Sequence, residues 1–164
     1  MHFPQSLLVA REALLGAIYK RDTDRSMADN LTRAQRSLCM SRVKTRDTDL
    51  ELAIRSELSR CGLKFRKNVS SLPGRPDIVF PVVKLAIFLD GDFWHGYRFP
   101  LWKDKLSNFW QEKITRNRER DRRNIAKLRR MGWRVLRIWQ HEIEKDLGAC
   151  VEKVRGLFRG RPIR

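Results

Sequence analysis

Two short apolar stretches each carry an aspartate at one end: Pro76-Asp77-Ile78-Val79-Phe80, and Ile87-Phe88-Leu89-Asp90 with His95 five residues further on. Acids at neighbouring strand ends with an imidazole close by are suited to metal-dependent phosphodiester hydrolysis. A divalent cation offsets the phosphate charge, and a carboxylate or imidazole prepares the attacking water. Leu72-Pro73-Gly74 reads as a tight turn feeding the first strand, and Gly91 breaks the second. Asp77 and Asp90 are therefore expected to converge where the backbone leaves the sheet. Hard carboxylate oxygens there suit Mg²⁺, and Asp90 is expected to contact the metal opposite Asp77, or else to cap the Gly91 turn.

These residues need elements to hold them. Thr48-Asp49-Leu50-Glu51 has the pattern of a capping box, opening a helix with Leu50, Ile54, Leu58 and Cys61 on one stripe and ending at Gly62. A basic helix is expected over 32–43. Short strands are expected over 63–66, 77–80 and 84–89, and a further strand over 133–139. The longest helix runs over 109–131 and stops at Gly132, and an amphipathic helix over 142–158 closes the chain. This order predicts an α/β core, a mixed central sheet flanked by helices. On the long helix the inward stripe reads Trp110, Ile114, Asn117, Asp121, Ile125, Leu128. A carboxylate there is costly unless it serves a site or pairs with a neighbouring arginine, so Asp121 is a candidate to orient a catalytic histidine.

Composition names the partner. The chain has 36 Lys and Arg against 19 Asp and Glu, a net charge of +17 in 164 residues, and a polyanion is the expected partner. Between residues 113 and 130 nine basic residues face only Glu119 and Asp121, which points to nucleic acid rather than to an ordinary solvated helix. No apolar run approaches the roughly 18 residues of a membrane span. Cys39, Cys61 and Cys150 are too scattered for a disulfide framework or a thiolate metal site and are expected to be buried in a reducing cytoplasm. The amphipathic run over 6–20 lacks the features of an export signal. Residues 1–26 read as an extension, with a helical run, or as upstream translation before a start at Met27; 27–164 reads as one domain.

From Met27 to about Ile143 the chain resembles the very-short-patch repair (Vsr-type) DNA mismatch endonucleases. The matching stretches are Thr45-Arg46-Asp47-Thr48 with Glu51, Ser71-Leu72-Pro73-Gly74-Arg75-Pro76-Asp77, Ile87-Phe88 with Gly91, and Phe93-Trp94-His95. They continue through Phe109-Trp110-Gln111-Glu112-Lys113-Ile114, Asn117, Glu119-Arg120-Asp121-Arg122-Arg123, and Gly132-Trp133-Arg134-Val135-Leu136 with Trp139. The resemblance implies a restriction-endonuclease-like fold and Mg²⁺-dependent nicking of one strand at a thymine–guanine mismatch. A nuclease of other specificity, such as a restriction or mobile-element enzyme, is the alternative.

By the same resemblance Asp77 binds the metal, Glu51 supports its water shell, His95 is the base, and Asp121 steadies that histidine. Met40, Phe93 and Trp94 match side chains that the family wedges between bases, and opening a mismatched step is cheap. Arg75, Arg116, Arg120 and Arg123 are expected on the phosphates. Duplex DNA is the implied partner, with mismatch-repair proteins beyond it; no membrane and no small organic cofactor are expected, and the setting is the cytoplasm, at the nucleoid. The chain departs from the family at Asp90, where a histidine is usual. Asp92, Tyr97, Phe99 and His141 stand at the structural-zinc positions, so no structural zinc is expected.

Overall fold

The computed structural model describes residues 47–159. Met40, Cys39, the helix expected over 32–43 and the run over 6–20 lie outside the described residues. Residues 47–97 and 114–159 belong to one compact unit, and 98–113 to another.

The larger unit opens with α1, Asp49–Arg60. Thr48 is its N-cap: the Glu51 N–H donates to Thr48 Oγ1 at 3.3 Å, as the capping pattern requires. Ile54 and Leu58 are fully buried, whereas Cys61, expected on the same stripe, is exposed because it lies past the last helical turn. Gly62 ends the helix at φ +74°, a backbone that favours glycine. Next come β1 (Arg66–Lys67), β2 (Ile78–Phe80) and β3 (Leu85–Asp90), then the long helix α2 (Asn108–Arg130) and β4 (Arg134–Trp139). β1 is shorter and later than the 63–66 strand expected.

The four strands form one mixed sheet in the order β1-β2-β3-β4, antiparallel except for the parallel pair β3–β4. In that register Leu85, Ile87 and Leu89 share a face with Leu136 and Ile138, where the core with α1 is built. Phe88 and Asp90 share the opposite face with Arg137 and Trp139. The closing helix is two helices, α3 (Gln140–Lys145) and α4 (Leu147–Arg159). Asp146 breaks them with an extended backbone and accepts the Ala149 N–H at 2.8 Å, an N-cap bond that outweighs the continuous apolar periodicity. Ile143, Cys150, Val151 and Val154 still face the core.

In the smaller unit two 3₁₀ turns, Phe99–Leu101 and Lys103–Lys105, precede the first residues of α2. Phe99 meets Trp102 edge-on at 5.1 Å, and Lys113 lies 5.1 Å from the Trp110 ring. No helix of the described residues is long and apolar enough to cross a membrane.

Candidate active site

An antiparallel β2–β3 ladder places the residue before β2 and the end of β3 at the same end of the sheet. Asp77 and Asp90 occupy those two positions. The Asp77 N–H donates to the Ile87 carbonyl at 3.0 Å, and its Oδ2 accepts the Leu89 N–H at 2.8 Å, so the carboxylate is locked against β3. Burial pushes the Asp77 carboxyl up to about 6. The backbone hydrogen bond and Arg55 oppose this, while the charges of Glu51 and Asp90 add to it.

Past Asp90 the strand stops and residues 91–97 wind into turns, with the His95 N–H donating to the Gly91 carbonyl at 3.1 Å and the Tyr97 N–H to the Asp92 carbonyl at 2.8 Å. Gly96 sits at φ +65°, and an added Cβ would stand 2.7 Å from Arg118 Cδ and 2.9 Å from Ile114 Cγ2. Only glycine lets this loop lie so close to α2. Phe93 and Trp94, the aromatic residues matched to the family's wedges, lie on this turn. Both are half-buried and pack edge-on at 5.0 Å. Asn117 Nδ2 donates to the Trp94 carbonyl at 3.1 Å, which explains the amide on the inward stripe of α2.

His95 Nδ1 lies 2.6 Å from Asp121 Oδ2 and 3.3 Å from Asp90 Oδ1. An ionised carboxylate can only accept, so Nδ1 carries the proton and Nε2 is left as the basic nitrogen. Burial lowers the imidazole pKa. The hydrogen bond to Asp121 and the charges of Asp90 and Asp121 outweigh it, and the net shift is upward. Burial likewise opposes ionisation of Asp121, but its bonds to His95 and Arg120 hold it below the ordinary carboxylate value. Asp121 therefore meets both partners open to it in the sequence: it accepts the His95 Nδ1 proton and pairs with its neighbour Arg120.

Glu51 stands apart from the His95 group on α1. Its carboxylate accepts the Thr48 hydroxyl at 3.2 Å and the Asp47 N–H at 3.1 Å, one residue before the N–H a full capping box would use, and takes Arg55 Nη2 at 2.8 Å. Arg55 is buried and also reaches Asp47, Asn68 and the Asp77 carbonyl, tying α1 to the strand that carries Asp77. Asp90 does not cap the Gly91 turn: its Oδ2 accepts Arg137 Nε. Sequence reasoning missed Arg55 and Arg137. Each had a signal, since Arg55 lies one turn beyond Glu51 and Arg137 interrupts the apolar run Val135-Leu136-Arg137-Ile138.

Arg116, Arg120 and Arg123 lie exposed at helical spacing along one side of α2, and Arg75 is exposed in the loop before β2. Asp92 Oδ1 pairs with His141 Nδ1 at 2.7 Å, and the Tyr97 ring lies 4.4 Å from the His141 ring. Among the described residues no three His, Cys, Asp or Glu side chains are grouped so as to hold a metal by themselves.

The family model for the DNA mismatch endonuclease Vsr matches residues 28–100. A type II nicking enzyme of Neisseria meningitidis serogroup C, V.NmeDIP, is 40% identical over 136 residues, 81% of this chain and 92% of the relative. A type II nicking enzyme of Xanthomonas oryzae pv. oryzae, V.XorIIP, is 42% identical over 135 residues, 80% of this chain and 98% of the relative. The DNA mismatch endonuclease Vsr of Escherichia coli is 46% identical over 116 residues, 70% of this chain and 74% of the relative. With such identity over most of both chains, this protein belongs to the Vsr family of DNA endonucleases.

Proposed function

We propose that the protein nicks one strand of duplex DNA at a thymine–guanine mismatch, in the cytoplasm, using Mg²⁺ on a restriction-endonuclease-like fold. The observation that carries this reading is the His95–Asp121 pair standing beside Asp90, which shares one end of the sheet with Asp77.

The donor set fits a hard cation. Asp77 is pushed up by burial and then by two neighbouring carboxylates, a strain that a divalent ion would relieve. Asp77 would hold Mg²⁺ directly, with Glu51 and Asp90 acting on its water shell, since Mg²⁺ keeps several waters. When bound, the ion supplies charge neutralisation at the phosphate and a more acidic water. His95 then takes the proton from the attacking water at Nε2, and Asp121 stabilises the imidazolium that forms. Arg116, Arg120 and Arg123 track the backbone, while the half-buried Phe93 and Trp94, on the turn after β3, are the side chains that wedge into a weakened step.

A different target is the second reading, favoured by Asp90 and Arg137, a charged pair at the position where the family commonly has a histidine. Asp77→Ala tests the shared chemistry. The variant should bind duplex DNA nearly as well as the parent and lose nicking in Mg²⁺; nicking retained by a folded variant would place the site elsewhere. His95→Ala should slow nicking about 10²-fold or more.

A further inference from the structure

A cavity of about 370 Å³ lies beside His95, walled by Phe88 and Ile125 and rimmed by Arg75, Arg120, Arg137 and Asn124. Two acids also line it, Asp90 and Asp121, and each is paired with an arginine. Asp90 is bonded by Arg137 Nε and lies 3.3 Å from His95 Nδ1. Asp121 takes His95 on Oδ2, and Arg120 Nε and Nη2 on Oδ1. Three guanidinium groups thus face two carboxylates that are turned inward, and the lining keeps a net positive charge.

The donors left over are specific. Arg137 Nε is committed to Asp90, and its Nη2, 3.9 Å from Asp121, is buried with no hydrogen-bond partner, which leaves the guanidinium with unused donors beside the cavity it lines. Its guanidinium lies 4.6 Å from the Trp139 ring, so the group is already oriented. Arg120 has Nη1 to spare, and no described residue engages the Arg75 side chain. Gly74 brings the Arg75 loop over the cavity: at φ +76° an added Cβ would stand 3.1 Å from Asn124 Cβ and 3.2 Å from Phe88 Cε1. Guanidinium forks around a partly apolar cavity match the oxygens of a phosphate.

We propose that Arg137 is a further substrate-positioning residue: its guanidinium donates to the DNA phosphate that lies beside His95, between Arg75 and Arg120. The inference rests on the DNA-nuclease reading and names a contact within it.

The test uses the full chain in EDTA, with inorganic phosphate as the first probe and calorimetry and the Arg137 Nε–H resonance as readouts. Phosphate should move that resonance, and Arg137→Met should weaken phosphate binding about tenfold, the scale of one lost charge-assisted hydrogen bond. Because Arg137→Met strands a buried Asp90, the double variant Asp90→Asn/Arg137→Met, which removes both partners, is measured beside it. Nicked duplexes with and without a 5′-phosphate identify the source. Weakening confined to the phosphorylated duplex marks a terminal phosphate, and equal weakening of both marks an internal diester; either supports the pocket. Unchanged affinity in a folded double variant, or a wild-type resonance that phosphate does not move, overturns it. Mg²⁺-dependent nicking by the wild-type chain, assayed separately, shows whether the nuclease reading survives such a failure.

Discussion

Replacing Asp121 by asparagine keeps the shape of the site and removes one charge. In the native chain Asp121 Oδ2 accepts the His95 Nδ1 proton at 2.6 Å and, with Asp90, lifts the imidazole pKa against the effect of burial. The amide can turn its N–H₂ toward Nδ1, which drives the proton to Nε2 and leaves no lone pair facing the water. A hydrogen bond to a charged group contributes about 1.5–3 kcal/mol, so its loss alone slows nicking roughly 10- to 150-fold, and the wrong tautomer adds to that. The sign of the pH effect follows. The neutral ring is the active form, so the native rate falls as pH drops through the raised imidazole pKa; in Asp121→Asn that acid limb moves to lower pH. Single-turnover nicking of an end-labelled duplex from pH 5 to 9 reads both effects. A rate within about threefold of native, with an unmoved acid limb, would show that Asp121 does not act through His95.

Asp77→Asn should stabilise the metal-free protein while abolishing nicking. A carboxyl raised from 3.8 to about 6 loses folding stability as pH rises between those values, so above pH 6 its removal is worth roughly 1–3 kcal/mol in urea unfolding. A destabilised variant at pH 7.5 would contradict this. Arg55→Met leaves Glu51 and Asp47 without their guanidinium and should cost about 3 kcal/mol; a loss under about 0.5 kcal/mol would show that solvent replaces the network. Gly96→Ala must relieve contacts of 2.7 and 2.9 Å at a positive φ, so it should lower both the melting temperature and the nicking rate, and an unaltered pair of values would refute the close approach. Duplex binding through roughly 5 phosphates should show a log–log salt slope of about −4 to −5, and a slope near zero would remove the nucleic-acid reading.

Much of this site was legible because its parts obey short-range rules. The Thr48 N-cap, the glycine stop at Gly62 and the aspartates at two strand ends each depend on a few neighbouring residues. Asp121 stood out because a carboxylate on an apolar stripe needs a reason, and His95 proved to be that reason. What stayed hidden was long-range or competitive. Arg137 meets Asp90 across 47 positions, a pairing that depends on the parallel β3–β4 register. The split between α3 and α4 turned on one aspartate whose cap bond outweighed an unbroken apolar stripe.

The central proposal, strand-specific nicking at a thymine–guanine mismatch, is tested most directly on duplexes labelled separately on each strand. The panel carries every single mismatch and the matched pair, with Mg²⁺ or with EDTA. One strand of the thymine–guanine duplex should be cut in Mg²⁺, at least tenfold faster than any other duplex, and none in EDTA. Equal cutting of matched and mismatched duplexes, or cutting that persists in EDTA, would contradict it.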